Sequence, residues 1–551
     1  MVAKKKNNFL SLVRSYKTEF LILLVFFISI ILFLSFSGYT FLGVWDEVRL
    51  QSTLAMGEPR NYMMSYPLSV FVAYLYTKIP AFPWYSILIL LYMFLISFLM
   101  ALYILKSSYD KFLKYFLLFL FVSLLIFTLF NVSVTLISLL LVVFAVPLIR
   151  NHQAWFWVLL FLASLLRVEM LLNVAPLILL AYVILVRKNS FTKNSIIVMF
   201  IMLIGMTANY LTSSLDKEYK EWLVFQKARI YFNDKKGTNK KHILTEEEFQ
   251  LVRSWWICDS GLYPVEKVMK AAGSNIDVIQ DIVLTPHAIL WILRKGYHNK
   301  ILILLSLLTL YILYLEKNNL RRSFYLLFTL GLFALLLVKD VPRTTDPMIM
   351  LWGIILFLGL LNKQKEICAK CLLLFMILFT ISETPWEQVR NYQKNEQLVH
   401  EFKELVRRNS QMKLEPASGF TSSWKGIRTA VKQNHLLYEK DDIDFNHHFI
   451  HAQWFALHPL FFKQHDISYK GIQRKYNSYY EYLLDKNTGI IGSKDKVTMN
   501  QFLVNNLLRM YDEKFAEPGC RHKVEMVDQS EHFMINRVVK VCNSNPLGDK
   551  N

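Results

Sequence analysis

Long apolar runs alternate with short basic segments through residues 1–382, and a mostly polar stretch follows to the C-terminus. The runs approach the roughly 17–25 residues that cross a bilayer as a helix, and they are too continuous for barrel strands. We therefore predict a polytopic α-helical membrane protein with about 11 transmembrane helices. The predicted spans are 20–36, 83–105, 115–130, 132–149, two within 155–186, 196–211, 301–315, 324–338, 348–361 and 372–381.

One apolar run, Trp155–Val186, is too long for a single helix and is interrupted by the charged segment Arg167-Val168-Glu169. Because charge is costly in hydrocarbon, we predict two short spans that meet at this break. Another run, Tyr66–Ile79, is apolar and aromatic but too short to cross comfortably. Its composition predicts a helix that lies in the membrane interface.

The apolar pattern divides the chain into a transmembrane domain, 1–382, and a polar domain, 383–551. The transmembrane domain carries two long loops, 38–83 and 212–300, which we expect on the outer face. The polar domain contains a pattern typical of hairpin strands, and we predict an α+β extracytoplasmic domain there.

The hairpin pattern lies between two cysteines. Residues 522–527 and 532–541 form its two halves, and Cys520 and Cys542 bracket them. If this region faces an oxidising compartment, a disulfide could join the two ends of the hairpin.

Composition and charge agree with a membrane protein. Hydrophobic residues make up 54% of the chain and charged residues 19%, against about 25% in soluble domains. The net charge of +20 would suit a nucleic-acid partner, but most Lys and Arg lie in short connectors, where they orient helices. We therefore expect no nucleic acid, a cytoplasmic N-terminus and an extracytoplasmic C-terminus. The outer short segments then hold Arg49, Arg60, Lys78, Arg167, Lys339 and Arg343.

An adjacent pair of acids, Asp46 and Glu47, directly follows the first predicted span and Trp45. A carboxylate can take a proton from a hydroxyl nucleophile within hydrogen-bond reach. The pair therefore indicates a general base together with a metal or acceptor contact. The alternative is a solvated loop that begins at this point.

Cations at the outer ends of spans could bind an anionic headgroup. Arg167 can contact a phosphate, because a guanidinium binds phosphate oxygens in bidentate fashion and keeps its charge. Its neighbour Glu169 could contact substrate, or the two could form an ion pair that holds the turn. Lys339 and Arg343 end the ninth span and could clamp a lipid headgroup, with a solvated loop as the alternative.

The long loop 212–300 is rich in Trp, Tyr, Lys and Glu. Aromatic faces and carboxylates suit sugar rings, so four of its residues could line a carbohydrate groove, with an ordinary packed subdomain as the alternative. These residues are Arg229, Asp234, Trp256 and Asp259.

Other chemistries lack support in the sequence. Histidines cluster between His447 and His458, but no cysteine accompanies them, and we expect no zinc site there. We find no phosphate-binding loop, no dinucleotide fingerprint and no nucleophile elbow. Nucleotide-driven transport and serine hydrolysis are therefore disfavoured.

The layout resembles the GT-C glycosyltransferases, integral membrane enzymes that use polyprenyl-phosphate-linked sugars. The resemblance rests on Trp45-Asp46-Glu47-Val48 in the first outer loop, an interfacial helix in that loop, short spans and an outer C-terminal domain. In protein O-mannosyltransferases and their relatives, an Asp-Glu pair occupies the corresponding place. The resemblance implies that Asp46 is the catalytic acid and that Arg343, then Arg167, contacts the lipid phosphate. The loop 212–300 departs from the mannosyltransferase pattern and is more similar to bacterial proteins of surface-polysaccharide synthesis.

We therefore expect a glycosyltransferase of the bacterial inner membrane that serves surface polysaccharide or glycoconjugate synthesis. Its donor would be a polyprenyl-phosphate-linked sugar, and its acceptor a glycan, lipid or protein. No cofactor is required by this scheme, and a divalent cation stays open as an addition. The first alternative is an O-antigen or capsule polymerase or ligase. The second is a transporter of lipid-linked sugars, which is not an enzyme.

Overall fold

The computed structural model describes part of the chain. The described residues are 17–36, 50–51, 53–55, 57–61, 63–79, 82–130, 132–149, 153–185, 191–216, 243–246, 248–249, 267, 270–271, 298–338, 342–384, 400–416, 467–469, 472–474, 476, 479–494, 507–515 and 517–542. The fold and the site are argued from these residues.

Helices form at each of the predicted apolar runs. In chain order they are α1 Lys17–Phe36, α2 Tyr66–Lys78, α3 Trp84–Lys106, α4 Lys111–Leu129, α5 Val134–Leu148, α6 Gln153–Leu185, α7 Phe191–Leu215, α8 His298–Leu315, α9 Asn319–Val338, α10 Pro342–Asn362 and α11 Glu366–Glu383. The core is centred on α5, whose side chains are buried on almost every face.

The predicted number of about 11 full spans is wrong for the described residues. Three helical stretches there have the length and composition to cross a membrane: Lys17–Leu34, Trp84–Lys106 and Lys111–Leu129. Further apolar helices of 10–17 residues follow the same pattern but are shorter. The break within α6 divides that helix into two of them, Ala154–Val168 and Met170–Leu185. The fold is that of a helical membrane protein with a small sheet.

The interfacial helix is found as α2. It has Tyr66, Ala73 and Tyr76 buried against the bundle, whereas Phe71 and Tyr74 remain exposed. An exposed aromatic face on a short helix suits a membrane interface. Its position in an interface stays a prediction.

Ion pairs tie the connectors together at one end of the bundle. Lys370 of α11 contacts Asp110, which caps α4 by accepting from the Leu113 N–H; the Lys370 Nζ–Asp110 Oδ2 distance is 2.8 Å. The hydrogen bond from Lys370 holds the pKa of Asp110 below its usual value. A second ion pair joins Lys363 to Glu316, with 3.0 Å between Lys363 Nζ and Glu316 Oε2. This is the basic end that the charge pattern predicts to be cytoplasmic.

The C-terminal residues form a four-stranded sheet in the order β1-β4-β6-β5. Its strands are β1 Lys413–Pro416, β4 Thr488–Ser493, β5 Cys520–Gln529 and β6 Phe533–Cys542. The pair β1–β4 is parallel, and the β5–β6 hairpin is antiparallel, as its sequence pattern predicts. A separate ribbon joins β2 Ile467–Tyr469 to β3 Ile472–Arg474, and α12 Tyr479–Leu484 precedes β4. Helix and sheet are both present in this α+β part of the chain.

A disulfide joins the two strands of the hairpin at the end opposite its turn. Cys520 and Cys542 are paired in register across β5 and β6, and a disulfide joins them. Cys368 and Cys371 carry free thiols. The disulfide matches the expectation for a region in an oxidising compartment.

A buried histidine fixes the hairpin to the helices beside it. The His522 Nδ1 lies 2.5 Å from Asp512 Oδ1, and its Nε2 lies 2.7 Å from the Tyr480 hydroxyl. The side chain of His522 is fully buried. Both ring nitrogens therefore have partners, and the residue acts as a packed structural link between β5, α12 and the helical segment 507–515.

Prediction on helix packing. Gly205 of α7 faces the α6 break, and a Cβ there would lie 2.8 Å from Ser164 Oγ and 2.9 Å from Ser164 Cβ. Gly205→Ala should destabilise the detergent-purified protein by about 1–3 kcal/mol, because helix backbones must separate. The midpoint of thermal unfolding measures this. Leu203→Ala is the control, since Leu203 is exposed on the same helix; equal midpoints for both variants would contradict the close contact.

Prediction on the disulfide. The unfolded, non-reduced protein should gain two maleimide-reactive thiols on reduction, because the Cys520–Cys542 bond opens. Mass spectrometry of the labelled chain counts them. Cys371→Ser should still gain two, since Cys371 is a free thiol, whereas a Cys520→Ser, Cys542→Ser double variant should gain none. An unchanged count in the wild-type chain after reduction would show that the bond is absent.

Candidate functional site

The site is organised around a break in α6. Arg167 has φ −155° and ψ 89°, which are not helical, so the helix is kinked there. The interruption falls at the centre of the charged segment where two short helices were predicted to meet. A break of this kind removes the intrahelical partners of the carbonyls one turn earlier, residues 163–166. Inside packed membrane helices such carbonyls need other donors.

Serines from two other segments supply those donors. The Ser65 N–H bonds to the Leu166 carbonyl at 3.0 Å, and the Ser65 hydroxyl donates to the Leu165 carbonyl. The Ser138 hydroxyl of α5 donates to the Ala163 carbonyl at 3.2 Å. The break is thus sealed by the first outer loop on one side and by α5 on the other.

The Arg167 side chain is buried beneath this seal, with 8% of the residue exposed. Its Nη1 donates to the Thr135 hydroxyl at the start of α5 and lies 3.6 Å from the Met63 sulfur. A buried guanidinium is costly unless hydrogen bonds or a ligand compensate for its lost hydration. Ionisable groups in such places are associated with function in membrane proteins.

A turn in the first loop holds the residues that cover Arg167. The Asn61 Oδ1 accepts from the Met63 N–H at 3.0 Å and from the Met64 N–H at 2.8 Å. Its Nδ2 donates to the Ser69 hydroxyl at 2.8 Å. Asn61 is 2% exposed, so it acts as an internal brace that fixes Met63 and the following Ser65.

The segment before this turn ends a short helix at Gly57. The Gly57 N–H bonds to the Leu54 carbonyl and the Glu58 N–H to the Thr53 carbonyl, both at 3.0 Å. This pair of bonds, with a Gly57 φ of +81°, is the Schellman arrangement that favours glycine. The chain is thereby directed from the segment that follows Asp46–Glu47 toward the α6 break.

Ion pairs then fasten the loop to the end of α7. Arg60 Nε lies 3.3 Å from Asp216 Oδ2, and Arg60 Nη1 lies 3.4 Å from Glu58 Oε2. The Tyr66 hydroxyl also donates to Asp216. Burial, followed by the hydrogen bond to Asp216, raises the pKa of Tyr66, which therefore stays neutral. Three parts of the chain, the first outer loop, α2 and the end of α7, therefore meet in one polar network at the end of the bundle opposite the basic connectors.

A cavity opens at the same end between α4, α5, α10 and α11. Its volume is about 10 Å³, and most of its wall is apolar. A volume of this size has room for about one water molecule. Two carboxylates line it: Asp346, which is 4% exposed, and Glu383, which is half-buried at the end of α11. We call it the acidic cavity. Its lining residues are Leu124, Phe127, Leu136, Leu140, Asp346, Pro347, Met350, Phe379, Thr380 and Glu383.

The first turn of α5 connects the two features. Thr135 accepts from Arg167, and the next residue, Leu136, lines the acidic cavity. Successive helical residues point about 100° apart. The buried guanidinium and the acidic cavity therefore lie beside adjacent faces of one helix, at the same depth in the bundle.

Metal-type donors occur elsewhere, among the described C-terminal residues. One group includes Cys520 and Cys542, whose sulfurs are joined to each other. Another consists of Glu401, Glu531 and His532, where His532 Nδ1 lies 2.7 Å from Glu401 Oε2. An ion pair accounts for the latter contact, so neither group indicates a metal site.

The structure describes part of the predicted site. Of the predicted phosphate contacts, it places Arg167 at the α6 break and Arg343 in the first turn of α10. Glu169 lies in α6, two residues beyond the break. The side chains of Arg343 and Glu169 lie outside the described part. Seven further predicted residues lie wholly outside it: Asp46, Glu47, Arg229, Asp234, Trp256, Asp259 and Lys339.

Sequence reasoning missed the acids of the cavity and the loop network. Asp346 is the last charged residue before an apolar run, beside Pro347, and Glu383 ends the last apolar run. A search for acids within one turn of a span end would have found both. The pairing of Arg60 with Asp216, 156 positions apart, has no local signal.

Comparisons of the chain with protein-family models, with curated proteins and with solved structures found no match.

Prediction on the seal. Ser65→Ala removes the hydroxyl that donates to the Leu165 carbonyl. The variant should lose about 1–3 kcal/mol of stability, because a carbonyl at the break is left without that donor. Thermal unfolding in detergent measures the loss. Ser123→Ala is the matched control, since its hydroxyl bonds only within α4, to Phe119; a loss no larger than the control's would show that the seal is unimportant.

Proposed function

We propose that the chain is a GT-C-like glycosyltransferase of the bacterial inner membrane. It moves a sugar from a polyprenyl-phosphate-linked donor to a glycan, lipid or protein acceptor on the extracytoplasmic face. In this proposal the N-terminus is cytoplasmic, and the loops 38–83 and 212–300 and the domain 383–551 lie outside.

The observation that carries the proposal is the buried Arg167 at the α6 break. The segment that covers it begins just after Asp46–Glu47 in the sequence and is fastened by Asn61 and Ser65. A broken helix, a permanent cation and the described part of the first outer loop meet at the end of the bundle away from the basic connectors. This combination suits an enzyme that handles a charged headgroup on an apolar tail.

The chemistry is a single displacement. Asp46 takes the proton of an acceptor hydroxyl, the hydroxyl oxygen attacks the anomeric carbon, and the bond from that carbon to the phosphate oxygen breaks. The lipid phosphate leaves with the bonding electron pair, and the configuration inverts. The donor's own phosphate bond supplies the driving force, so no nucleotide is needed.

Cations stabilise the leaving phosphate. Arg343 and Lys339 contact it, and Arg167 supplies a permanent positive charge nearby. Preorganised charge at a leaving group is often the largest catalytic term. Glu47 is the neighbour of the base and contacts the acceptor or a divalent cation.

The outer loops would bind the acceptor. The path of the acceptor is lined by Glu169 at the break. Four residues of the long loop line it as well: Arg229, Asp234, Trp256 and Asp259. Aromatic side chains there would stack on sugar rings.

Prediction on activity. The purified chain is incubated with a labelled farnesyl-phosphate-linked sugar and with envelope glycans from a strain that lacks the chain. It should transfer the labelled sugar to those glycans. Asp46→Asn should lower kcat by about 100-fold or more, the size of a general-base contribution. Arg167→Ala should lower it by a similar factor, with partial rescue in Arg167→Lys, because the charge returns without the fork geometry.

The control for these variants is Asp110→Asn, which alters an acid at the opposite end of the bundle and should keep wild-type turnover. Full turnover by Asp46→Asn would remove that carboxylate as the base. Long glycan chains that still form in Asp46→Asn but are lost in Arg167→Ala would favour a polymerase or ligase. Movement of the lipid-linked sugar across vesicle membranes without transfer would favour a transporter.

A further inference from the structure

Helices α4 and α11 lie side by side, and both begin at the basic end of the bundle. The Lys370 Nζ of α11 lies 2.8 Å from Asp110 Oδ2, at the N-cap of α4, and 5.6 Å from the centre of the Phe112 ring. Phe112 is exposed. The ammonium group of Lys370 therefore joins the starts of the two helices at the edge of an exposed surface.

Each helix presents an exposed apolar stripe that starts near this contact. The side chains of the stripes are Phe112, Tyr115 and Phe119 on α4, and Ile367, Leu374 and Leu378 on α11. Neighbours within a stripe are three, four or seven residues apart, so they lie on one face of their helix. Helix α4 has the length and composition to cross a membrane, and exposed apolar patches of this kind suit lipid. We call the two stripes together the α4–α11 face.

Lysines surround the basic end of the α4–α11 face. Lys111 and Lys114 lie at the start of α4, and Lys365 is the N-cap of α11. Among the described residues, none of these three forms an ion pair, whereas Lys370 is shared between the α4 cap acid and Glu366. The four lysines outnumber the two acids, so this end of the face keeps a positive charge.

The N-terminus of α11 adds to the positive region. Its N-cap, Lys365, makes no side-chain hydrogen bond to the first turn, whereas Asp110 caps α4 by accepting from the Leu113 N–H. The first residues of α11 are exposed. Helix N-termini carry a partial positive charge and offer N–H groups to phosphate oxygens, and lysines bind phosphate as point charges. Groups that suit a phosphate therefore stand directly beside two apolar stripes.

This order of groups matches one class of ligand. A soluble phosphate would use the cations but leave the apolar stripes uncovered. A purely apolar partner would cover the stripes but gain nothing from the lysines. A zwitterionic phospholipid carries its own ammonium group beside its phosphate, which competes with the lysines. An anionic phospholipid uses both the cations and the stripes.

We propose that the α4–α11 face binds an anionic phospholipid, with its phosphate at Lys111, Lys114 and Lys365 and its acyl chains along the two stripes. The cytoplasmic leaflet is the anionic one in cells, and the basic end faces it in the proposed orientation. The bound lipid bridges the starts of α4 and α11 beside the Lys370–Asp110 pair. The site takes no part in the proposed transfer reaction and lies at the opposite end of the bundle from it.

The test measures lipid binding to the full chain in detergent by native mass spectrometry. The probes are phosphatidylglycerol and phosphatidylcholine with the same acyl chains. The wild-type chain should bind phosphatidylglycerol about tenfold more tightly or better, and less so as ammonium acetate is raised, because salt screens the charges. A Lys111→Gln, Lys114→Gln double variant should bind it about tenfold to 30-fold more weakly than the wild type, as expected for two lysines near an anionic lipid. A Lys111→Arg, Lys114→Arg double variant keeps the charge and should keep the affinity.

The matched control is a Lys317→Gln, Arg321→Gln double variant, which removes two cations from the same end of the bundle but at the α8–α9 connection. It should keep the wild-type affinity. If the double variant of α4 does not fold, Lys365→Gln carries the test, with Lys317→Gln alone as its control. Equal losses in site and control variants would show attraction by overall charge and would overturn the site. So would a wild-type chain that does not prefer phosphatidylglycerol, or site variants that bind it as the wild type does.

Two other occupants are distinguished by the same measurement. Displacement of phosphatidylglycerol by equal concentrations of glycerol 3-phosphate would show a site for a soluble anion. A dimer of the chain that excludes the lipid would assign the face to a second copy. Either result overturns the proposal. Sugar transfer does not enter the measurement, so failure of the proposed function leaves this result intact, and the reverse holds as well.

Discussion

The arrangement of the site depends on the need to satisfy the carbonyls exposed where α6 is broken. Water is scarce among packed membrane helices, so these carbonyls must bond to the protein itself. Ser65 and Ser138 supply the donors, and in doing so Ser65 fixes the first outer loop over Arg167. The loop's inner turn, braced by Asn61, therefore has one position. The interruption in α6 therefore explains the positions of the Arg167 guanidinium, the first outer loop and the N-terminal turn of α5.

The two ends of the bundle use charge in different ways. At the basic end, Lys370–Asp110 and Lys363–Glu316 join one connector to another. The first pair lies between partly exposed groups, and such pairs contribute little to stability; in the second, Glu316 is 4% exposed. At the other end more of the described charged groups are buried, and Arg167, Asp346 and Glu58 are all less than 9% exposed. Buried charge is costly, so its concentration at one end favours a functional explanation over a structural one.

Local features of the fold could be predicted, and features that depend on distant contacts could not. The length of the run 155–186 and the charge within it predict the break at Arg167, and alternating residues predict the β5–β6 hairpin. The number of full spans was overestimated for the described residues, because apolar helices of 10–17 residues were counted as spans although a crossing helix needs about 17–25 residues. Arg60 meets Asp216 only because α7 packs beside α2. Such pairing is set by tertiary packing, to which a single sequence gives no direct access.

The first turn of α5 explains why cation and acids can coexist at one depth. Thr135 accepts from Arg167 while the next residue, Leu136, lines the acidic cavity. Successive side chains of a helix point about 100° apart, so one turn of α5 can serve both surroundings. The Thr135 hydroxyl also lowers the cost of burying the guanidinium, because a buried charge needs hydrogen-bond partners.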